Sequence, residues 1–136
     1  MRAAVEDLVE EAERRIRNRL WIPTKDDRVV AAKAAKDLDA ALGTAQSEEE
    51  RSEVDRLAHL REALAALAIA LAHVHGPLAW FLGAAVTALA PVLHWRALPP
   101  EGGPTFGTVT PSPEQYREAE DAIRRLRSTL ASIAAA

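Results

Sequence analysis

Cysteine is absent from the 136-residue sequence, which excludes disulfides, thiolate metal sites and a cysteine nucleophile together and fits a reducing compartment. Aromatic residues are scarce: two Phe, one Tyr and three Trp, so a core must be built from Leu, Val, Ile and Ala. No charge sign dominates, and at a net −3 no global basic field draws the chain to nucleic acid or anionic lipid. The first residues, MRAAVEDLVEEAERR, lack the basic region and apolar run of a signal peptide, so a cytoplasmic protein is expected. There is no Gly-x-Ser-x-Gly elbow, no His-Glu-x-x-His and no phosphate-binding loop. The glycines of GGPTFG have neither the lysine nor the strand-to-helix setting that a phosphate loop needs.

What the chain does have is helical periodicity. Alanine supplies about a fifth of it and arginine outnumbers lysine 14 to 3, the composition of a GC-rich, bacterial genome. Val5, Leu8, Val9, Ala12, Ile16 and Leu20 form one apolar stripe over a helix at 3–20, which Trp21-Ile22-Pro23 ends. Thr24, three residues before Asp27, caps a helix at 25–42 whose stripe is Val29, Val30, Ala34, Leu38 and Leu42, with Gly43 just past its end. Ser47 and Glu50 fit a capping box for a third helix, 48–75, whose Leu57, Leu60, Leu64, Leu67, Leu71 and Val74, continued by Leu78, step alternately by three and four. Gly76 and Pro77 break it before a fourth helix at 78–96, which Pro91 is expected to kink. A Pro/Gly-rich loop at 99–112 precedes a last helix at 113–133, with Ser112, Pro113 and Gln115 at its cap, first and third positions.

Residues 63–95 carry no Asp, Glu, Lys or Arg, in a chain 27% charged. Trp80 and Trp95 bracket the fourth helix, and Ala79, Gly83 and Thr87 recur four apart as in paired membrane helices. Length weighs against a membrane hairpin. The 63–75 arm is about 20 Å of helix and the 78–95 arm about 27 Å, at about 1.5 Å per residue, against a hydrocarbon core of about 30 Å. The shorter arm would draw Arg61 and Glu62 into the bilayer, at about 2.5–3.5 kcal/mol per central charge. A leucine heptad faced elsewhere by alanine suits a central helix in a soluble bundle. Membrane insertion stays the alternative.

The polar side chains give no convergent site. His73 and His75 fall on nearly opposite sides of a helix, and His94 and His59 lie about 24 Å and 21 Å away along their helices. Zinc needs three or four converging ligands. If His73 or His94 were buried neutral, acid would weaken the fold. Arg14, Arg15, Arg17, Arg19 and Arg124, Arg125, Arg127 end helices that begin acidic and lack interleaved aromatics, so they read as solvated helix faces rather than a nucleic-acid site.

Glu49, Glu50 and Glu53 form an EExxE pattern, and Glu118 and Asp121 an ExxD pattern. These few residues resemble the magnesium-binding motifs of the MazG-type all-α nucleotide pyrophosphohydrolases. The resemblance implies paired carboxylates on two helices holding Mg²⁺ against a triphosphate. In that family the two motifs lie a few turns apart, whereas here 64 residues and the whole apolar hairpin separate them. Glutamates are also expected at the start of the third helix as partners of its dipole.

The sequence therefore predicts one all-α domain over 1–136, a compact bundle of four to five antiparallel helices with a central apolar helical hairpin. No cofactor, metal or catalytic residue is assigned. A non-enzymatic interaction or assembly module is expected, partnering a protein or itself and not nucleic acid, through Leu71, Val74, Leu78, Ala79, Trp80, Gly83, Thr87 and Phe106.

Overall fold

A computed structural model describes residues 1–42, 53–93 and 113–136. It contains five helices: α1 (Arg2–Arg17), α2 (Lys25–Leu42), α3 (Glu53–Leu71), α4 (Gly76–Leu93) and α5 (Pro113–Ala135). No strand occurs among the described residues, and the helices pack into a compact bundle. Gly43, the Ser47–Glu50 cap, His94, Trp95 and the 99–112 loop with Phe106 lie outside the described residues.

The expected bounds of α2 are those observed, and its start has a local cause. Thr24 Oγ1 accepts from the Asp27 N–H at 3.0 Å, while Asp27 Oδ2 accepts from the Thr24 N–H at 3.0 Å. Two amide donors are thereby satisfied by one pair of side chains, the reciprocal capping arrangement.

α1 ends at Arg17, three residues before the expected stop. The Arg15 carbonyl accepts from the N–H groups of both Leu20, at 2.8 Å, and Trp21, at 3.1 Å, which turns the chain off the helix axis. Arg19 takes a left-handed φ of 59° to make the turn. The next four residues alternate. Trp21 is 2% exposed and Pro23 is buried, while Leu20 and Ile22 are 67% and 73% exposed. Leu20 is thus not on the α1 stripe, and Trp21 is a core residue whose role helical spacing could not reveal.

α3 ends at Leu71 rather than 75. Its last turn tightens, with the His73 N–H donating to the Ala70 carbonyl at 3.1 Å. Gly76, at φ 68°, then reverses the chain, a conformation in which a Cβ is disfavoured. α4 consequently starts two residues early, and Pro77 falls in its first turn, where a missing N–H costs no helical bond.

Around the bundle each helix touches the next in the order α1, α4, α3, α2, α5 and back to α1. α5 packs against all four others, most heavily against α2. α3 was expected at the centre. Its leucine seam is buried at Leu60, Leu64 and Leu67, but Ala58, Ala65, Ala68 and Ile69 on its other side are exposed. α5 buries Tyr116, Ala119, Ile123, Leu126, Leu130 and Ile133, and Thr129 among them donates its hydroxyl to the Arg125 carbonyl. On α2 the stripe narrows, since Ala34, Leu38 and Leu42 are buried while Val29 is exposed and Val30 only half-buried.

The arginine clusters have electrostatic partners. Arg125 bridges to Glu6 at 3.6 Å and Glu13 at 3.2 Å, tying α5 to α1, and Arg127 pairs with Asp39 at 2.8 Å, tying α5 to α2. Arg14 and Arg15 share Glu11, holding its carboxyl at about 2 through hydrogen bonds first from Arg14 and then from Arg15. These pairs are solvent-accessible, so water and salt screen them and each adds little to stability.

Candidate interaction surfaces

Among the eight residues expected to form an interaction face, Val74 and Leu78 fill the core. Leu71, Ala79, Trp80 and Gly83 are half-buried and Thr87 is exposed. Gly83 faces α3 rather than solvent: a Cβ built there would meet only the two δ-methyls of Leu71, each at 3.9 Å. Gly83 thus meets α3 at an ordinary van der Waals distance, through the Leu71 side chain, and not as a tight approach of two helix backbones. The Thr87 hydroxyl donates to the Gly83 carbonyl at 2.8 Å.

α4 divides into two faces. Leu78, Leu82, Ala85 and Leu89 point inward and are fully buried. Trp80, Ala84, Thr87 and Pro91 fall on the opposite side at the same three- and four-residue steps. Only a third of the 18-residue helix is buried, and it is the one described helix long and apolar enough to cross a membrane. Arg15 lies over the Trp80 ring at 4.1 Å, so the edge of this outer face nearest α1 is a cation held on an aromatic surface. At the other end Arg61 of α3 donates through Nε to the Leu93 carbonyl at 2.6 Å, placing a cation where the helix dipole is negative.

Between α2 and α3 runs a shallow apolar groove of about 210 Å³, walled by Val29, Val30, Ala66, Ile69 and His73, with Lys33 and Asp37 also on its lining. It exists because Ala34, Ala66 and Ala70 are too small to fill the gap between the two helices. Past Ala40, Ala41, Glu62 and Ala65 the same two helices leave a second, more open depression of about 340 Å³. Lys33 and Asp37, the charged pair on its lining, neutralise each other at 2.6 Å.

The histidines do not converge. His73 and His75 are exposed, so His73 is not the buried neutral group that would make the fold acid-sensitive. His59 Nδ1 is buried 3.9 Å from Glu62 Oε2, too far for a hydrogen bond. Among the described residues no group of three or more His, Asp or Glu side chains could hold a metal ion. In the acidic patterns, Glu49, Glu50, Arg51 and Ser52 lie outside the described residues, Glu118 and Asp121 are exposed, and Glu120 pairs with Arg124 at 3.1 Å.

The surface that spacing missed is the turn between α1 and α2. Leu20 and Ile22 stand outward from it among exposed Arg17, Arg19 and Lys25. The available signal was the alternation in Leu20-Trp21-Ile22-Pro23, a period of two inside a helical protein. No family model, curated protein or solved structure matches this chain, so the five-helix arrangement stands on its own geometry.

Proposed function

We propose that the chain is a non-enzymatic helical assembly module that self-associates through the outer face of α4. One observation carries this reading: α4 has no charged side chain in 18 residues, and on its outer side Trp80 and Ala84 are only half-buried while Thr87 and Pro91 are exposed. Apolar surface left partly uncovered is what an interface takes up. A second copy is the occupant that fits, because a two-fold interface sets the same patch against itself, and an uncharged patch meets itself without like-charge repulsion. The small side chains of Ala84 and Thr87 permit close helix approach. Light scattering on the full chain in detergent-free buffer tests it. At micromolar concentration a dimer or larger species is expected, and Thr87→Glu, at an exposed position, converts it to monomer. A monomeric wild type overturns the reading.

A second reading, insertion of α4 into a bilayer, is favoured by its uncharged, apolar composition. Recovery of the expressed chain with membranes, released only by detergent, would support it over self-association in water.

A further inference from the structure

We propose that the turn joining α1 to α2, with Leu20 and Ile22 held outward among Arg17, Arg19 and Lys25, docks on an anionic lipid surface. Isolated surface leucines are ordinary. Here Leu20 and Ile22, with Val29 in the first turns of α2, are three of the four most exposed large apolar side chains among the described residues, and the fourth, Ile69, lines the α2–α3 groove with Val29. This end of the bundle gathers the close of α1, the start of α2 and the α3–α4 turn. Arg15 on Trp80 joins the first to the last, and the groove wall shared by Val29 and His73 joins the second to the last.

The turn is built, not slack. Buried Trp21 and Pro23 anchor it, the Arg15 carbonyl holds two of its amides, and its exposed residues are thereby presented in a fixed orientation. Arg19 occupies a left-handed conformation that glycine would adopt without strain, and strain of that kind is retained where a side chain is wanted. Across 17–28 stand four cations and two carboxylates, and one of those carboxylates, Asp27, is turned inward as the cap of α2. Asp26 is the exposed exception. The local balance is basic although the whole chain is net −3.

Chemistry and shape select the occupant. A second copy would set Arg17, Arg19 and Lys25 against themselves. Nucleic acid would find Leu and Ile where stacking needs aromatic rings. A protein partner needs about 800 Å² on each side, more than a convex turn offers. A bilayer surface conforms to a convex turn, accepts aliphatic side chains at the acyl boundary and attracts cations to anionic headgroups.

Cosedimentation of the full chain with vesicles of phosphatidylcholine, alone or mixed with phosphatidylserine, tests the proposal. Binding is expected only with phosphatidylserine and should weaken as salt rises. Reversing Arg17, Arg19 and Lys25 to Glu should cost more than about a hundredfold, since losing the three cations alone costs about fivefold each. Leu20→Ser and Ile22→Ser should each cost at least about tenfold. Arg17→Gln with Lys25→Gln, a milder pair, should lie between, and circular dichroism should report unchanged helicity in every variant. No phosphatidylserine-dependent binding overturns the proposal, and that is also the result if the turn serves an acidic protein. Binding indifferent to the turn variants but lost in Thr87→Glu overturns it in favour of α4. The oligomeric state should not change in the turn variants, so this test and that of self-association fail independently.

Discussion

Replacing Gly83 by alanine should stabilise the protein, and the size of the gain follows from the packing at that point. Glycine in a helix interior costs about 0.8–1 kcal/mol relative to alanine. The new methyl would meet only Leu71 Cδ1 and Cδ2, both at 3.9 Å, an ordinary van der Waals separation. Nothing must move, so the propensity gain should survive nearly whole, and a small added contact with Leu71 has the same sign. For a chain of this length about 1 kcal/mol corresponds to a rise of roughly 3–5 °C in Tm. Gly83→Leu asks for more room than the Leu71 side chain leaves and should cost about 1–3 kcal/mol, as forced insertions do. Calorimetry on the two variants beside wild type checks both. A fall in Tm for Gly83→Ala refutes the 3.9 Å separation. A leucine variant melting at or above wild type refutes the packing of α3 on α4 and makes that face open to solvent or lipid.

Gly76→Ala should lose about 1–2 kcal/mol in urea titration, entirely through backbone strain, since no atom lies within 4 Å of the added methyl while φ is 68°. Thr24→Ala and Asp27→Ala should each cost about 1 kcal/mol, and the double variant less than their sum, because the two bonds belong to one cap. Trp21→Ala should cost about 3–5 kcal/mol, while Trp21→Phe should cost far less because the buried indole N–H has no partner among the described residues. The Glu11 carboxyl, lowered from 4.5 to about 2 by Arg14 and Arg15, contributes stability that is fully present above about 4.5 and is lost as pH falls through about 2. Glu11→Gln should flatten the urea midpoint between pH 5 and 2 at low salt, and added salt should shrink the difference because the pair is exposed.

The all-α class, the number of helices and the bounds of α2 were legible because each rests on signals within one turn of chain. Thr24 and Asp27 cap by local geometry, and Leu60, Leu64 and Leu67 keep a spacing only a helix can use. The helix at the centre was not legible. α4, the most apolar segment, buries one stripe from Leu78 to Leu93, while α5, with charges along much of its surface, buries another from Tyr116 to Ile133 and meets all four other helices. Composition reports how much apolar surface a helix owns, whereas burial depends on how many neighbours surround that surface. The outward Leu20 and Ile22 were hidden for a related reason. A helical period assigned Leu20 to α1, and only the hydrogen bonds at Arg15 show that the period has already changed by then. Of the expected interaction face, Val74 and Leu78 proved interior, where the leucine spacing they continue had also put them.

The position of α5 bears on how the chain reaches this state. The helix that touches all the others is the last of the five along the sequence, and its Arg125 reaches a glutamate 112 residues earlier. Helical bundles fold fast when their contacts are local, and closing a long loop before any contact rewards it slows them. During synthesis α1 to α4 emerge with the surface that α5 will cover still open to water. The α2 stripe, its largest partner, waits through the making of two further helices. Protection from premature association in that interval falls to the charges of α1, α2 and the start of α3, because α4 supplies none.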